Sequence, residues 1–381
     1  MSTRSDDIRQ ILPGLAALCV ALALALDLIT LKLVGFDFAA YILGARRLVA
    51  GEPLYQTALV ALGPFGQYVY APFVVLPFVP LAMLPFDVAR LSFLLLLAGL
   101  AALVTWHLAS QLPRATRYWG AAAIVLFFPL IWEVTLENLT LVTLTSTLLA
   151  WRWRRSAPRS GAAFAVALGL KLLPLSLIPY FLASGRVRVL LWSALGLIAI
   201  TFFTWPIVGA EWPAFIAFLA YIAQAPAGTG SNIVPALFSA PPLRVVLPAL
   251  ALLIAVLCGF VSRASDGDED HSFRVALAAV PLVASTLWYP YLIFALPLLV
   301  ASGPRPPTSL LRVPFAVARP CAWVLMQWET LRDPGREFLM PMVGLLLLLM
   351  VGLLELYWCE RTQRPLGAQE ARARIASARV A

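Results

Sequence analysis

The sequence predicts an all-α polytopic membrane protein, and three observations carry that prediction. Hydrophobic residues make up 61% of the chain and charged residues only 12%, with a mean hydropathy of +0.88; ordinary globular domains hold about 45–50% apolar residues. Apolar runs near the about 20 residues that span a bilayer core recur from Ile11 to Trp358. The joints between them are short and carry the arginines, in the positive-inside pattern of cytoplasmic loops. Topology therefore accounts for the net charge of +9, and no nucleic-acid partner is expected.

Taken in order, residues 1–10 form a short basic N-terminus expected in the cytoplasm, and 11–358 a single membrane domain. The first run, 11–34, is long and lacks a small-x-small cleavage site before Gly35, so it is expected to stay as a helix. Residues 35–70 form the first large loop, expected outside the cytoplasm. Further candidate spans are 71–86, 89–110, 119–133, 138–151, 161–183, 188–208, 244–262, 274–302 and 338–358, with 308–328 as a weaker one. Several depart from one plain crossing. The 138–151 run is shorter than the minimum of about 17 residues. Residues 161–183 contain Lys171 and Pro174 and lie between two arginine clusters, Arg152, Arg154, Arg155 and Arg159 before and Arg186 and Arg188 after. With both clusters in the cytoplasm, this segment enters and returns as a hairpin broken at Pro174, tolerated where protein or a wet cavity satisfies the freed backbone. Pro290 divides 274–302 in a similar way. The total is about 9–12 crossings, with parity open. The tail 359–381, rich in Ala and Arg, is expected in the cytoplasm.

No internal repeat of the sort that builds two-halved transporters is visible. Cys19, Cys258, Cys321 and Cys359 form no CxxC pair, so neither a disulfide framework nor a thiolate metal site is expected. Asp266, Asp268, Glu269, Asp270 and His271 crowd one joint without the spacing of a calcium loop, which favours a solvated acidic turn.

The informative polar segment is 35–70. Asp37 lies just past the first apolar run, where partial dehydration gives a carboxylate reason to shift its pKa. Residues 38–50 have the spacing of an amphipathic surface helix, with Phe38, Tyr41, Ile42, Ala45 and Leu48 on one side and Arg46 and Arg47 nearer water. Gly51 is placed to end it. Asp37 is then either the N-cap of that helix or an acid held at the interface for chemistry. Glu133, Glu137 and Asn138 stand where two apolar runs meet, and Lys171 stands within a third. Ionisable groups at such depth mark a functional cavity or a buried pair, and pairing of Lys171 with Glu137 competes with ligand contact. This set suits an anionic lipid head bearing a sugar. A carboxylate takes a proton from a sugar hydroxyl, and lysine or arginine steadies a departing phosphate. Tyr55, Tyr70, Trp288, Tyr289 and Tyr291 either stack on sugar rings or belong to the interfacial aromatic belt. Arg46 and Arg47 either meet the phosphate or anchor the surface helix.

Asp37-Phe38 with Tyr41, then Gly51-Glu52-Pro53-Leu54-Tyr55, then Tyr70-Ala71-Pro72 resemble, in order and spacing, the D-F-x-x-Y, G-x-P-L-Y and Y-P-P signature of glycosyltransferase family 87. That family comprises bacterial polyprenyl-phosphate-mannose-dependent mannosyltransferases of the GT-C fold, including the mycobacterial phosphatidylinositol mannoside enzymes. Glu137-Asn138 stands in the place of the family's G-Q-x-N, and Gly169-Leu170-Lys171-Leu172-Leu173-Pro174 resembles its A-x-K-x-x-P. The similarity spans roughly residues 30–300. Two departures stand out. Glu137 replaces a glutamine, and a carboxylate lacks the donors of an amide. Ser285 to Tyr291 holds no histidine where members tend to carry one.

The resemblance implies a GT-C-like transmembrane helix bundle with interfacial helices in the first large loop, placed in a bacterial inner membrane. It implies Asp37 as catalytic base and Lys171 as a contact for the donor phosphate or its lipid. Tyr41, Arg46, Tyr55, Tyr70, Glu137, Asn138, Trp288 and Tyr289 complete the candidate donor or substrate contacts. The implied reaction moves a hexose, mannose foremost, from a polyprenyl-phosphate donor to a lipid-linked or glycan acceptor among the membrane lipids. Inversion follows, since a single base leaves no role for a covalent sugar intermediate. The sequence requires no metal cofactor and leaves room for a divalent ion. The rival reading is a transporter or flippase of a lipid-linked sugar, which predicts internal repeats and dependence on an ion gradient.

Overall fold

The computed structural model describes residues 16–20, 35–55, 68–224, 241–264, 269–284, 289–301, 309–327 and 340–358. The expected N-terminus 1–10, most of the run 11–34, part of the first loop, Asp266, Asp268, Trp288 and the tail 359–381 lie outside the described residues. Every regular element described is helical.

The first helix, α1, covers Phe36–Ala50 between two glycines in the left-handed region, Gly35 (φ 72) and Gly51 (φ 71). Gly51 ends it as expected, with its N–H on the Leu48 carbonyl and that of Glu52 on Arg47. The start falls two residues earlier than the amphipathic pattern indicates. Gly35 is therefore the N-cap and Asp37 sits inside the first turn, where the helix N-terminus favours a carboxylate. Phe38, Tyr41, Ile42 and Ala45 are buried, as the pattern requires, and Arg46 is exposed.

Beyond the first loop follow α2 (Phe86–Ser110), α3 (Arg114–Val125), α4 (Phe128–Leu136), α5 (Thr140–Arg152), α6 (Ala157–Leu170), α7 (Val187–Val208), α8 (Trp212–Gln224), α9 (Pro241–Ala264), α10 (Glu269–Ala278), α11 (Ser309–Met326) and α12 (Met340–Trp358). Four described helices are long and apolar enough to cross a membrane: 86–110, 187–221, 245–264 and 340–358. The pair α3–α4, bent by 49°, adds a fifth if it is one span. Leu95, Trp106, Phe202, Phe203 and Val245 on these helices point outward, exposed. Apolar surface of that extent has a lipid bilayer as its natural solvent.

Three segments interrupt the regular helices. Pro72–Phe78 runs into Val79–Ala82, Leu173–Leu177 into Ile178–Ala183, and Tyr289–Ala295 into Leu296–Leu299, each a 3₁₀ stretch followed by a short α-helix. All three carry repeated prolines, which withdraw donors from the i→i−4 ladder and collide with the carbonyl four residues back. The rule places one break directly: Pro174 collides with residue 170, and α6 stops at Leu170. Lys171 is extended there (φ −147, ψ 142).

Two charged clusters define opposite ends of the bundle. Glu269, in the first turn of α10, is held by Arg154 at 3.1 Å and Arg186 at 2.9 Å. The Trp151 indole donates to Asp270 at 2.7 Å and stacks on Phe273 with ring centres 4.2 Å apart. At its described end the joint differs from a purely solvated turn: Glu269 is ion-paired and His271 is buried, while Asp270 stays more than half exposed. The arginine joints fold onto Glu269 and Asp270, and buried His271 lies 3.1 Å from Glu355. Since Arg154 and Arg186 share Glu269, the chain between them leaves this end and returns to it, the hairpin that the flanking arginines imply. Helix α2 measures the distance to the other end. Its 25 residues span about 37 Å at 1.5 Å per residue. Arg90, near its start, faces Glu137, while Gln111, just past its end, accepts a hydrogen bond from Arg274 of α10.

Candidate active site

At the end of the bundle opposite Glu269, the start of α1 is tied to the end of α4. The Gly35 N–H donates to the Thr135 carbonyl at 3.0 Å, which brings Asp37 over the α4–α5 junction. Helix α4 ends in a Schellman turn, with the Asn138 N–H on Glu133 and the Glu137 N–H on Val134. The left-handed position is filled by Glu137 (φ 58), the one non-glycine residue with positive φ among the described residues. That turn aims the Asn138 side chain at α1.

The Asn138 amide donates to Asp37 Oδ2 at 2.5 Å. Its carbonyl oxygen accepts from the Thr140 N–H at 2.9 Å, the Thr140 hydroxyl at 2.7 Å and Lys171 Nζ at 2.7 Å. Lys171 also donates to Thr140 Oγ1 at 2.7 Å. An amide whose oxygen takes three donors has only one orientation left, so Asn138 must present its N–H to the carboxylate. The Lys171 ammonium lies over the rings of Tyr291, at 4.8 Å, and Tyr70, at 5.9 Å. Tyr41 and Tyr70 share a hydroxyl–hydroxyl bond of 2.9 Å, and the Tyr55 hydroxyl donates to the Tyr70 carbonyl at 2.6 Å. Glu133 is fully buried, with one oxygen on the Leu141 N–H at 2.7 Å and the other without a hydrogen bond from the described residues. Burial pushes the Asp37 carboxyl up to about 6, while the Asn138 hydrogen bond and the Lys171 charge pull it down.

The structure thus brings together Asp37, Tyr41, Tyr70, Asn138 and Lys171, with Tyr55 behind Tyr70. The alternative pair Lys171–Glu137 does not form: Lys171 turns to Asn138 and Thr140, and Glu137 turns to Arg90, 3.9 Å away. Arg46 follows Asp37 by nine residues, about two and a half turns, and so emerges on the other face of α1, its Nε 3.5 Å from the Ala82 carbonyl. Buried Tyr289 donates to the Met326 carbonyl at 2.6 Å and packs edge-on against Phe128. Trp288 lies outside the described residues.

Sequence reasoning passed over Thr140 and Arg90. Thr140 had a signal, since Asn two residues ahead of a Thr at a helix start suggests an Asx turn; Arg90 had none. Among the described residues no three His, Cys, Asp or Glu side chains gather as metal ligands.

Comparison with known families finds a match to glycosyltransferase family 87 over residues 68–290, more than half of the chain. No curated protein and no solved structure matches. The matched segment includes Tyr70, Asn138, Lys171 and Tyr289, and Asp37 precedes it. A helical membrane bundle with this match is a membrane glycosyltransferase, which moves a sugar from a donor to an acceptor. The chain belongs to glycosyltransferase family 87.

Proposed function

We propose that this glycosyltransferase moves a hexose, mannose foremost, from a polyprenyl-phosphate donor to a lipid-linked or cell-envelope acceptor, with Asp37 as the base. The observation that carries the reading is the carboxylate of Asp37, with one oxygen fixed by an amide that Thr140 and Lys171 orient. The other oxygen accepts no hydrogen bond from the described residues. It takes the proton of the acceptor hydroxyl as that oxygen attacks the anomeric carbon. The bond from the anomeric carbon to the phosphate oxygen breaks, and its electron pair leaves with polyprenyl phosphate. Lys171, next to Asn138, supplies positive charge for the anion that departs. Attack opposite the leaving group inverts the anomeric configuration. The reading calls for no cofactor.

Sidedness supports it. The Glu269 end carries Arg154 and Arg186 and by the positive-inside rule belongs to the cytoplasm. The Asp37 end then opens on the far side of a bacterial inner membrane, where lipid-carried sugars replace nucleotide sugars as donors.

Membranes containing the protein are expected to transfer radiolabelled mannose from polyprenyl-phosphate mannose to endogenous lipid or glycan. Polyprenyl-phosphate glucose serves as the comparison. Transfer only from a nucleotide sugar sinks the donor assignment. The acid limb of the rate profile is a second check. Asp37 is ionised at pH 7 and becomes protonated below about 6, so kcat/KM falls about tenfold per unit below that point. A profile flat from pH 7 to 4 contradicts Asp37 as base.

A further inference from the structure

Beside the cluster, the Arg90 side chain crosses the first turn of α1. A Cβ on Gly35, two residues before Asp37, would lie 2.8 Å from Arg90 Cδ and 3.4 Å from Glu137 Oε1. Glycine is thus favoured at 35 by its positive φ, and a side chain there would displace the arginine stem that passes over it. Arg90 Nε lies 3.9 Å from Glu137 Oε1, beyond hydrogen-bond range. Glu137 is fully buried, and neither of its carboxylate oxygens has a hydrogen-bond partner among the described residues. Arg90 donates no hydrogen bond among the described residues, and its side chain is 37% exposed. A buried acid without hydrogen bonds, on a backbone held in the left-handed region, is costly on both counts. Both costs fall at the edge of the Asp37 site.

We propose that Arg90 is a second binding group for the phosphate of the lipid-linked donor, with Glu137 as its positioning residue. Glu137 faces the Nε edge of the guanidinium and leaves the terminal nitrogens free. That fork suits two oxygens of a phosphate ester, where an ammonium offers only a point charge. Arg90 and Lys171 then meet the same anion from two helices, one at the start of α2 and one at the α6 break. This rests on the polyprenyl-phosphate reading above. The shared chemistry is a lipid phosphate ester, and anionic phospholipid is the other possible source.

The test uses the full chain in detergent, titrated with a short-chain polyprenyl monophosphate and, separately, with phosphatidylglycerol. Binding is followed by the rise in unfolding temperature. Arg90→Gln is expected to weaken polyprenyl monophosphate binding at least tenfold without altering the response to phosphatidylglycerol. Arg90→Lys, which keeps the charge and loses the fork, is expected to fall between and carries the test if Arg90→Gln does not fold. Glu137→Gln is expected to raise KM for the donor several-fold with little change in kcat. Undiminished binding by both Arg90 variants overturns this inference while the donor reading stands. A selective loss of phosphatidylglycerol binding reassigns Arg90 to a bulk lipid and overturns it too. Absence of polyprenyl monophosphate binding by the wild-type protein overturns the donor reading together with it.

Discussion

Asp37→Asn is expected to insert and accumulate like the wild-type protein and to lose transfer by about 10²–10⁴-fold, the range that general-base catalysis supplies. The substitution is nearly isosteric, and its amide oxygen still accepts the 2.5 Å bond from Asn138. The first turn of α1, its glycine cap and the Thr135 tie are untouched. What disappears is a basic oxygen. Residual transfer should also lose the acid limb of its pH profile, because the group that titrates near 6 is gone. Asp37→Glu keeps the base but moves it by about the length of a methylene, and displacement near 1 Å costs on the order of 10²-fold in a positioned reaction. Transfer by Asp37→Asn at more than half the wild-type rate would place the base elsewhere.

Lys171→Gln is the second large effect, and it separates chemistry from stability. Loss of the ammonium removes charge stabilisation from the departing phosphate, worth about 10²–10³-fold in rate by analogy with a lost oxyanion donor. It also strips buried Glu133 and Asp37 of the positive charge that both feel. Breaking a buried charge set of this kind costs about 3–5 kcal/mol, so the variant should unfold at a lower temperature. Adding Glu133→Gln removes the stranded carboxylate and should return much of that stability while transfer stays low, a coupling that a double-mutant cycle measures. Full transfer by Lys171→Gln would remove Lys171 from the chemistry.

Much of this architecture was legible in local rules. The end of α6 at Leu170 follows from Pro174 alone, and the return of 161–183 to its starting end follows from arginines on both sides. Gly51 announced the end of α1. Its start was less legible, since a glycine N-cap gives no side-chain signal and the apolar pattern begins later. The ion pairs of Glu269 were not legible in the acidic joint, because its partners lie 115 and 83 residues away, at Arg154 and Arg186. Charge on a joint shows its sign, and only the fold shows what it meets. Tyr289 and Tyr291 illustrate the same limit at close range. Two residues apart on a 3₁₀ turn they diverge by about two-thirds of a turn; one reaches Met326 and the other lies under Lys171. The phase of that turn is set by the prolines and by packing, and the residue types do not reveal it. Arg90 was invisible for a simpler reason: an arginine in the first turns of a membrane helix looks like an interfacial anchor until Gly35 is seen beneath it.

The Glu269 clasp also imposes an order on biosynthesis. Chains emerge N-terminus first, and Asp37, Glu133, Asn138 and Lys171 have all been made by residue 171. The acids and their ammonium therefore enter the bilayer as one nearly complete set, and Lys171 does not wait alone in hydrocarbon. Arg154 and Arg186 do wait, because Glu269 follows them by 115 and 83 residues. Until α10 is synthesised, the hairpin that carries Lys171 is unlatched at the end where Arg154 and Arg186 lie. A nascent chain halted before residue 269 should thus hold the acids and their ammonium, still without Tyr291, on an unclasped support.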